Sequence, residues 1–127
     1  MITIATTPSG SSTHGVPEDR VVVHVRGELD LDSVAAIEPT LSALARHGRS
    51  ALRLDLGGLD FCDSSGINLF LRMRTRCARS GTRLTLTGIA GQPAQVIRLV
   101  RLAEAIDCHF TTAAPPNAPR RRTGTRA

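Results

Sequence analysis

The sequence predicts a single α/β domain in which helices pack on a mixed sheet of four to five strands. Strand-like and helix-like segments alternate along the chain, and the helical segments carry apolar stripes. A length of 127 residues suits one domain and is too short for two independent cores. The alternation implies parallel strands joined by right-handed crossovers, and an opening hairpin makes the sheet mixed.

The first part of the chain predicts two strands joined by a flexible connection. Met1–Thr6 suits a short edge strand, and Pro8–Asp19 is polar and rich in turn-forming residues. The β-branched run Val21–Arg26 predicts the second strand. Gly27–Asp30 is expected to end it.

The first helix is predicted to follow, with Asp32 or Ser33 as its N-cap. Pro39 lacks a backbone N–H, so we expect a kink or a late start there. Gly48 is a natural helix stop. The apolar stripe of the helix comprises Val34, Ile37, Leu41 and Leu44.

The middle of the chain predicts a strand, a loop and a second helix. Leucines alternate with polar residues in Ala51–Leu56, which indicates a strand with one face on the core. Gly57–Cys62 is expected to be a loop, and the helix after it runs to about Arg79. Arginines cluster on the side of that helix opposite its apolar face and predict a solvated surface: Arg72, Arg76 and Arg79.

The last elements are a strand, a short helix and a final strand. Arg83–Thr87 alternates in the same way, Pro93 suits the first turn of a helix, and Cys108–Thr111 predicts one more strand. Residues 1–111 therefore form the predicted domain. Residues 112–127 are rich in Pro, Ala, Thr and Arg and predict a disordered tail.

Most of the excess of positive over negative charge lies in that tail. The net charge is +5, from 16 basic and 11 acidic residues. Four arginines lie in the tail, so 12 basic and 11 acidic residues remain elsewhere and the domain is nearly neutral. Single-strand nucleic-acid binding also uses aromatic stacking platforms, which three Phe without Trp or Tyr do not supply. We expect no direct nucleic-acid partner.

Composition also argues against several kinds of site. Three widely spaced cysteines form no C-x-x-C pair, so neither a disulfide framework nor a zinc site is indicated. We expect no metal and no cofactor. The N-terminus lacks the basic and apolar regions of a signal peptide, and no apolar run is long enough to span a membrane. The predicted location is the cytoplasm.

The most informative stretch is Leu54–Leu71, which leads from a buried strand to the start of the second helix. Asp63, Ser64 or Ser65 can serve there as N-cap, because each has a side-chain oxygen able to accept a bond from a free helix amide. From physics alone, a cap is the commonest role for such residues.

The segment Phe61–Ile67, preceded by Leu52–Leu56, resembles the signature of the STAS domain family. It is most similar to the bacterial anti-sigma factor antagonists, in which an apolar residue precedes D-S-[ST]-G-[LI]. Gly27–Asp30 matches the G-E-L-D that follows the second strand of that family, and Pro93–Phe110 fits as well. The resemblance covers about residues 18–110.

This resemblance implies a binding protein switched by phosphorylation rather than an enzyme. It implies that Ser64 accepts phosphate from a partner anti-sigma factor that is an ATP-using serine kinase. The unphosphorylated form would bind that partner and free the sigma factor, and a serine phosphatase would reset the switch. Asp63, Ser65 and Gly66 would support the loop, and Glu28, Asp30 and Asp32 are candidate partner contacts.

Physical chemistry makes Ser64 a credible position for this modification. Phosphorylation adds about −1.5 to −2 charges at pH 7, and a helix N-terminus tolerates an anion well. Asp63 is adjacent, and Asp30 and Asp32 are near it if the two loops share one end of the sheet. We therefore expect the fold to survive phosphorylation and the docking surface to change.

Three other hypotheses remain open at this point. A hydrolase would use Ser64 or Ser65 as nucleophile with one of four histidines as base, but no G-x-S-x-G elbow is present. The arginine tail would be an anion-binding arm for nucleic acid or acidic lipid. A STAS module without a switch would be a scaffold or part of a lipid-transport assembly.

Overall fold

The five strands lie in the sheet in the same order as in the chain, β1-β2-β3-β4-β5. The computed structural model describes residues 2–8, 20–47 and 49–111. The elements are β1 (Ile2–Pro8), β2 (Arg20–Leu29), α1 (Leu31–Arg46), β3 (Ala51–Cys62), α2 (Ser64–Arg79), β4 (Arg83–Ile89), α3 (Gly91–Leu99), a 3₁₀ turn (Leu102–Glu104) and β5 (Asp107–Phe110).

The sheet is mixed, as predicted from the sequence. β1 pairs antiparallel with β2, and the pairs β2–β3, β3–β4 and β4–β5 are all parallel. Each parallel pair is connected through a helical segment, which is the crossover that parallel neighbours need. Together with three α-helices, this confirms the α/β fold class.

Side chains alternate between the two faces of the sheet. Leucines 52, 54 and 56 of β3 are buried in one apolar core with the inner faces of the helices. Arg53 and Asp55 point to the opposite side, which we call the open face, because residues there are exposed or half-buried. The strand period of two thus separates an apolar face from a polar one.

The strands β2 and β3 extend further than predicted. The expected loop Gly57–Cys62 is wrong, because β3 continues to Cys62 and pairs with β2 to its end at Leu29. The β2–β3 register shifts between His24 and Arg26 and again between Gly27 and Glu28, and Gly58 lies opposite Arg26. A Cβ at Gly58 would lie 2.7 Å from Arg26 Cγ, so the close approach of the two strands favours glycine.

The start of α1 differs from its prediction. Asp30 is the N-cap, so neither Asp32 nor Ser33 has that role, and the late start at Pro39 is wrong because the helix contains it. Ser33 instead completes a capping box with Asp30. The predictions for residues 9–19, for Gly48 and for the tail from residue 112 lie outside the described residues.

The arginines of α2 make specific contacts rather than forming a purely solvated face. Glu38 of α1 accepts two hydrogen bonds from Arg72, at 2.8 and 2.7 Å, and a third from Arg76 at 2.6 Å. We call these three residues the inter-helix clamp. A further arginine of α2, Arg74, donates from Nε to the Ala105 carbonyl oxygen at 2.7 Å.

Candidate functional site

Two loops meet at the carboxyl ends of β2 and β3. The backbone N–H of Asp63 donates to the carbonyl oxygen of Leu29 at 3.2 Å. Since Leu29 immediately precedes Asp30, this bond places the start of α1 beside the start of α2. The predicted proximity of Asp30 to the Asp63–Gly66 loop is therefore present in the structure.

Asp63 is the residue that caps α2. Its Oδ1 accepts hydrogen bonds from the backbone N–H of Ser65 at 2.9 Å and of Gly66 at 3.4 Å. The sequence allowed three caps, and the structure shows that Asp63 is the one used. Neither serine hydroxyl caps the helix. An Asp at this position satisfies free amides and suits the positive end of the helix dipole.

Ser64 is the first residue of α2 and its side chain is exposed. Within the part of the chain that the structure describes, its hydroxyl makes no hydrogen bond to another residue. Ser65 is half-buried by comparison. A hydroxyl at Ser64 is therefore accessible to a modifying enzyme without local unfolding.

Gly66 lets α2 approach the sheet closely. A Cβ added there would lie 2.6 Å from the Cys62 sulfur and 2.8 Å from Cδ2 of Leu29, both of which are buried. Such distances leave no room for a side chain. Gly66 thus fixes the position of the helix start relative to the ends of both strands.

Cys62 lies next to the loop and is fully buried. Burial, and secondarily the negative charge of Asp63, raises the pKa of the Cys62 thiol to about 12. The thiol is therefore neutral at physiological pH and behaves as a small core residue rather than a nucleophile.

Gln92, in the first turn of α3, is a site residue that the sequence analysis missed. Its Oε1 accepts from the backbone N–H of Cys62 at 2.8 Å, and its Nε2 donates to the Cys62 carbonyl oxygen at 3.0 Å. The amide therefore pairs with the last residue of β3 as a neighbouring strand would. This contact holds the backbone immediately before Asp63 and Ser64.

The segments that lead into α1 and α2 carry acidic side chains with apolar residues among them. Glu28, Asp30 and Asp32 are all exposed. Hydrogen bonds from the backbone and hydroxyl of Ser33 lower the pKa of Asp30, so it is ionised at neutral pH. Exposed Leu31 lies between the two aspartates, and Phe61, opposite Glu28 in the sheet register, is 40% exposed.

One of the histidines considered as a catalytic base, His24, lies away from Ser64. His24 lies in the middle of β2, where Nδ1 is 2.8 Å from Asp55 Oδ2 and Nε2 is 3.3 Å from Thr7 Oγ1. This hydrogen-bonded chain is on the open face, several residues before the strand ends where Ser64 is located. It is a separate feature from the Asp63–Gly66 loop.

Neither a metal-binding cluster nor a membrane-spanning helix is present in the described ranges, 2–8, 20–47 and 49–111. No group of three or more His, Cys, Asp or Glu side chains there is arranged to hold a metal ion. None of the helices there is long and apolar enough to cross a membrane.

Solved structures share this fold at low sequence identity. An anti-sigma factor antagonist from Mycobacterium paratuberculosis is 22% identical over 86% of each chain, with a TM-score of 0.67. Unphosphorylated SpoIIAA, an anti-sigma factor antagonist, is 24% identical over 78% of this chain and 84% of its own, with a TM-score of 0.58.

The fold also occurs in a protein of another kind. A sulfate transporter family protein from Wolinella succinogenes is 18% identical over 82% of this chain and 86% of its own, with a TM-score of 0.63. No curated protein sequence matches this chain. The family model described as "Mlab, STAS domain" matches residues 13–108, which include β2 to α3 and both loops of the site. The chain therefore belongs to the STAS domain family.

Proposed function

We propose that this chain is an anti-anti-sigma factor that binds an anti-sigma factor and is switched by phosphorylation of Ser64. The observation that carries the proposal is an exposed serine, with no hydrogen bond to a described side chain or backbone group, at a helix start capped by the preceding aspartate. Structural neighbours that are anti-sigma factor antagonists support this function over other uses of the fold.

The unphosphorylated surface suits a protein partner. Leu31 and Phe61 supply exposed apolar area, and Glu28, Asp30 and Asp32 supply charge around it. An apolar centre with a charged rim is the usual composition of a specific interface. In the proposed function this surface binds the anti-sigma factor, which then releases its sigma factor and permits transcription.

Phosphorylation alters this surface through charge. A phosphate on Ser64 brings about −1.5 to −2 charges to a surface that already carries Asp63 and Asp30. The N-terminus of α2 stabilises the anion, so the fold is preserved. Partner groups that pack against the neutral hydroxyl then meet like charge and a strongly hydrated group, so the complex dissociates.

The chain itself has no catalytic role in this proposal. The anti-sigma factor is the serine kinase and uses ATP, and a separate serine phosphatase removes the phosphate. Both partners, and a sigma factor, act in the cytoplasm, where the proposal places this protein. The structure of SpoIIAA in a phosphorylated form shows that phosphorylation is compatible with this fold in that neighbour.

The decisive experiment combines phosphate mapping with binding measurements. The purified chain is incubated with the candidate anti-sigma kinase and ATP, and mass spectrometry locates the phosphate. We expect one phosphate, on Ser64, which is lost in Ser64→Ala and retained in Ser65→Ala. The variant Ser64→Asp should bind the anti-sigma factor about 100-fold more weakly, about 2.7 kcal/mol.

A matched control separates the site from a general charge effect. Thr75→Asp adds the same charge at an exposed position three turns along α2 and should leave binding unchanged. Transfer of phosphate to another residue, or unchanged binding by Ser64→Asp, would contradict the proposal. If Ser64 variants bind as the unmodified protein does, the alternative is favoured, a STAS scaffold or lipid-transport module without a switch. The sulfate transporter family neighbour and the family description "Mlab, STAS domain" are the reasons for considering it.

A further inference from the structure

A basic cavity lies on the open face of the sheet, at the end away from Ser64. Its volume is about 500 Å³, and it is formed where β2, β3 and β4 begin. Three arginines line it, Arg20, Arg53 and Arg83, together with Asp107 and His109 of β5. Ser64 follows the carboxyl end of β3, so the cavity and the proposed switch occupy opposite ends of the sheet.

The strand register directs the three arginines to one place. Arg20 and Arg83 are both paired with Ala51, on its two sides, so a small side chain separates them. With strands about 4.8 Å apart, their Cα atoms lie about 10 Å from each other. Arg53 follows two residues after Ala51 on the same face and is paired with Val22 and Thr85.

This arrangement keeps positive charge concentrated without placing two arginines directly opposite each other. Like charges at paired positions destabilise a sheet, whereas here each arginine faces a small or uncharged residue. The three long side chains nevertheless line the same cavity. Ala51 lies between Arg20 and Arg83 and lines the cavity with them.

The positive charge of the cavity is only partly balanced. Among the described lining residues, Asp107 is the one carboxylate; it lies 3.9 Å from Arg83 and 3.1 Å from His109 Nε2. Arg20 and Arg53 form no ion pair or hydrogen bond with any other described residue. Two guanidinium groups therefore remain available to an anion.

We propose that this cavity binds a small anion of the diphosphate class. Guanidinium groups match phosphate oxygens with paired hydrogen bonds, and Thr85 adds a hydroxyl beside Arg53. The volume falls in the range of small-molecule sites. None of the three Phe residues lines the cavity, so recognition rests on the phosphates rather than on a stacked ring.

Calorimetric titration of the full chain with pyrophosphate, at constant ionic strength, tests this site. We expect saturable binding that Arg53→Gln and Arg20→Gln each weaken at least 10-fold. The matched control is Arg79→Gln, which removes an exposed arginine from α2 and should leave the affinity unchanged. Circular dichroism establishes that each variant is folded. Absence of saturable binding, or equal weakening by Arg79→Gln, would overturn the proposal.

A second experiment distinguishes a soluble diphosphate from a lipid headgroup as the ligand. ADP represents a soluble diphosphate, and vesicles containing 20% diacylglycerol pyrophosphate in phosphatidylcholine present a lipid diphosphate headgroup. Binding of ADP that Arg53→Gln reduces identifies a soluble ligand, and binding of the vesicles that Arg53→Gln reduces identifies a lipid headgroup. If Arg53→Gln alters neither, the cavity is not the binding site and the inference fails.

Discussion

The two long helices begin with the same cap residue, yet the serine of the first turn is buried in one and exposed in the other. Both α1 and α2 have an aspartate N-cap, Asp30 and Asp63, at the end of a buried strand. In α1 the serine of the first turn is Ser33, which is buried, and its hydroxyl bonds to the backbone at Glu28 and Asp30. In α2 the first serine, Ser64, is exposed, and its hydroxyl has no such bond to any residue that the structure describes.

The difference comes from the position of the serine relative to the cap. A serine three residues after the cap completes a capping box and becomes part of the structure. A serine directly after the cap projects outward, and Gly66 takes the third position because Cys62 and Leu29 leave no space there. The same two residue types thus produce a structural hydroxyl in α1 and an accessible one in α2.

The largest change in the free energy of unfolding is expected when the start of α2 is made to resemble that of α1. Gly66→Ser places a serine three residues after Asp63, as in α1, but its Cβ would lie within 2.8 Å of Cys62 and Leu29 atoms. We expect the free energy of unfolding in urea to fall by about 1–3 kcal/mol, the usual cost of overpacking. An increase in stability would show that the helix start can move and form a second capping box.

Removing each serine hydroxyl in turn tests the comparison directly. Ser33→Ala should lower the free energy of unfolding by about 1–2 kcal/mol, since it removes the buried hydroxyl that completes the capping box of α1. Ser64→Ala, at an exposed position, should change it by no more than about 0.5 kcal/mol. Urea unfolding of the two variants in parallel gives both values, and equal losses would contradict the distinction.

The smallest expected effect concerns the inter-helix clamp, which holds α1 and α2 side by side. The hydrogen bonds from Arg72, and secondarily from Arg76, lower the pKa of Glu38 to about 2 from 4.5. Because the folded pKa is the lower one, this stabilisation is complete above pH 4.5 and is lost as the pH falls towards 2. We expect Glu38→Gln to cost up to about 1 kcal/mol at pH 7 and almost nothing at pH 2.

A control for the clamp is Glu104→Gln. Glu104 is highly exposed and lies 4.0 Å from Arg101, so its removal should leave the unfolding free energy unchanged at both pH values. Urea unfolding at pH 7 and pH 2 gives both comparisons. A loss for Glu38→Gln that is equal at the two pH values would show that the clamp acts through packing rather than charge.

The sequence was most informative where local patterns determine the structure. Alternating leucines predicted the core side of β3, and the aspartate before two serines predicted a helix start at Asp63. The cap of α1 was wrong because aspartate and serine are both good caps, and only the three-dimensional contacts of Ser33 with Asp30 and Glu28 decide between them.

Contacts between distant residues could not be predicted from one sequence. Gln92 reaches Cys62 across 30 positions, and Arg72 reaches Glu38 across 34. Nothing in the local pattern around Gln92 or Arg72 indicates these partners. The prediction of a loop from Gly57 was wrong for a related reason. Pairing with β2 keeps this segment in a strand although glycine has a weak strand preference.

The order of the strands has a consequence for how the molecule is assembled during synthesis. Each strand pairs with the one made just before it, so the sheet can grow from the N-terminus without waiting for later segments. The bond from Asp63 to Leu29 becomes possible as soon as β3 joins β2. Gln92 emerges only after β4, so the backbone that leads to Ser64 is secured only once α3 has been synthesised.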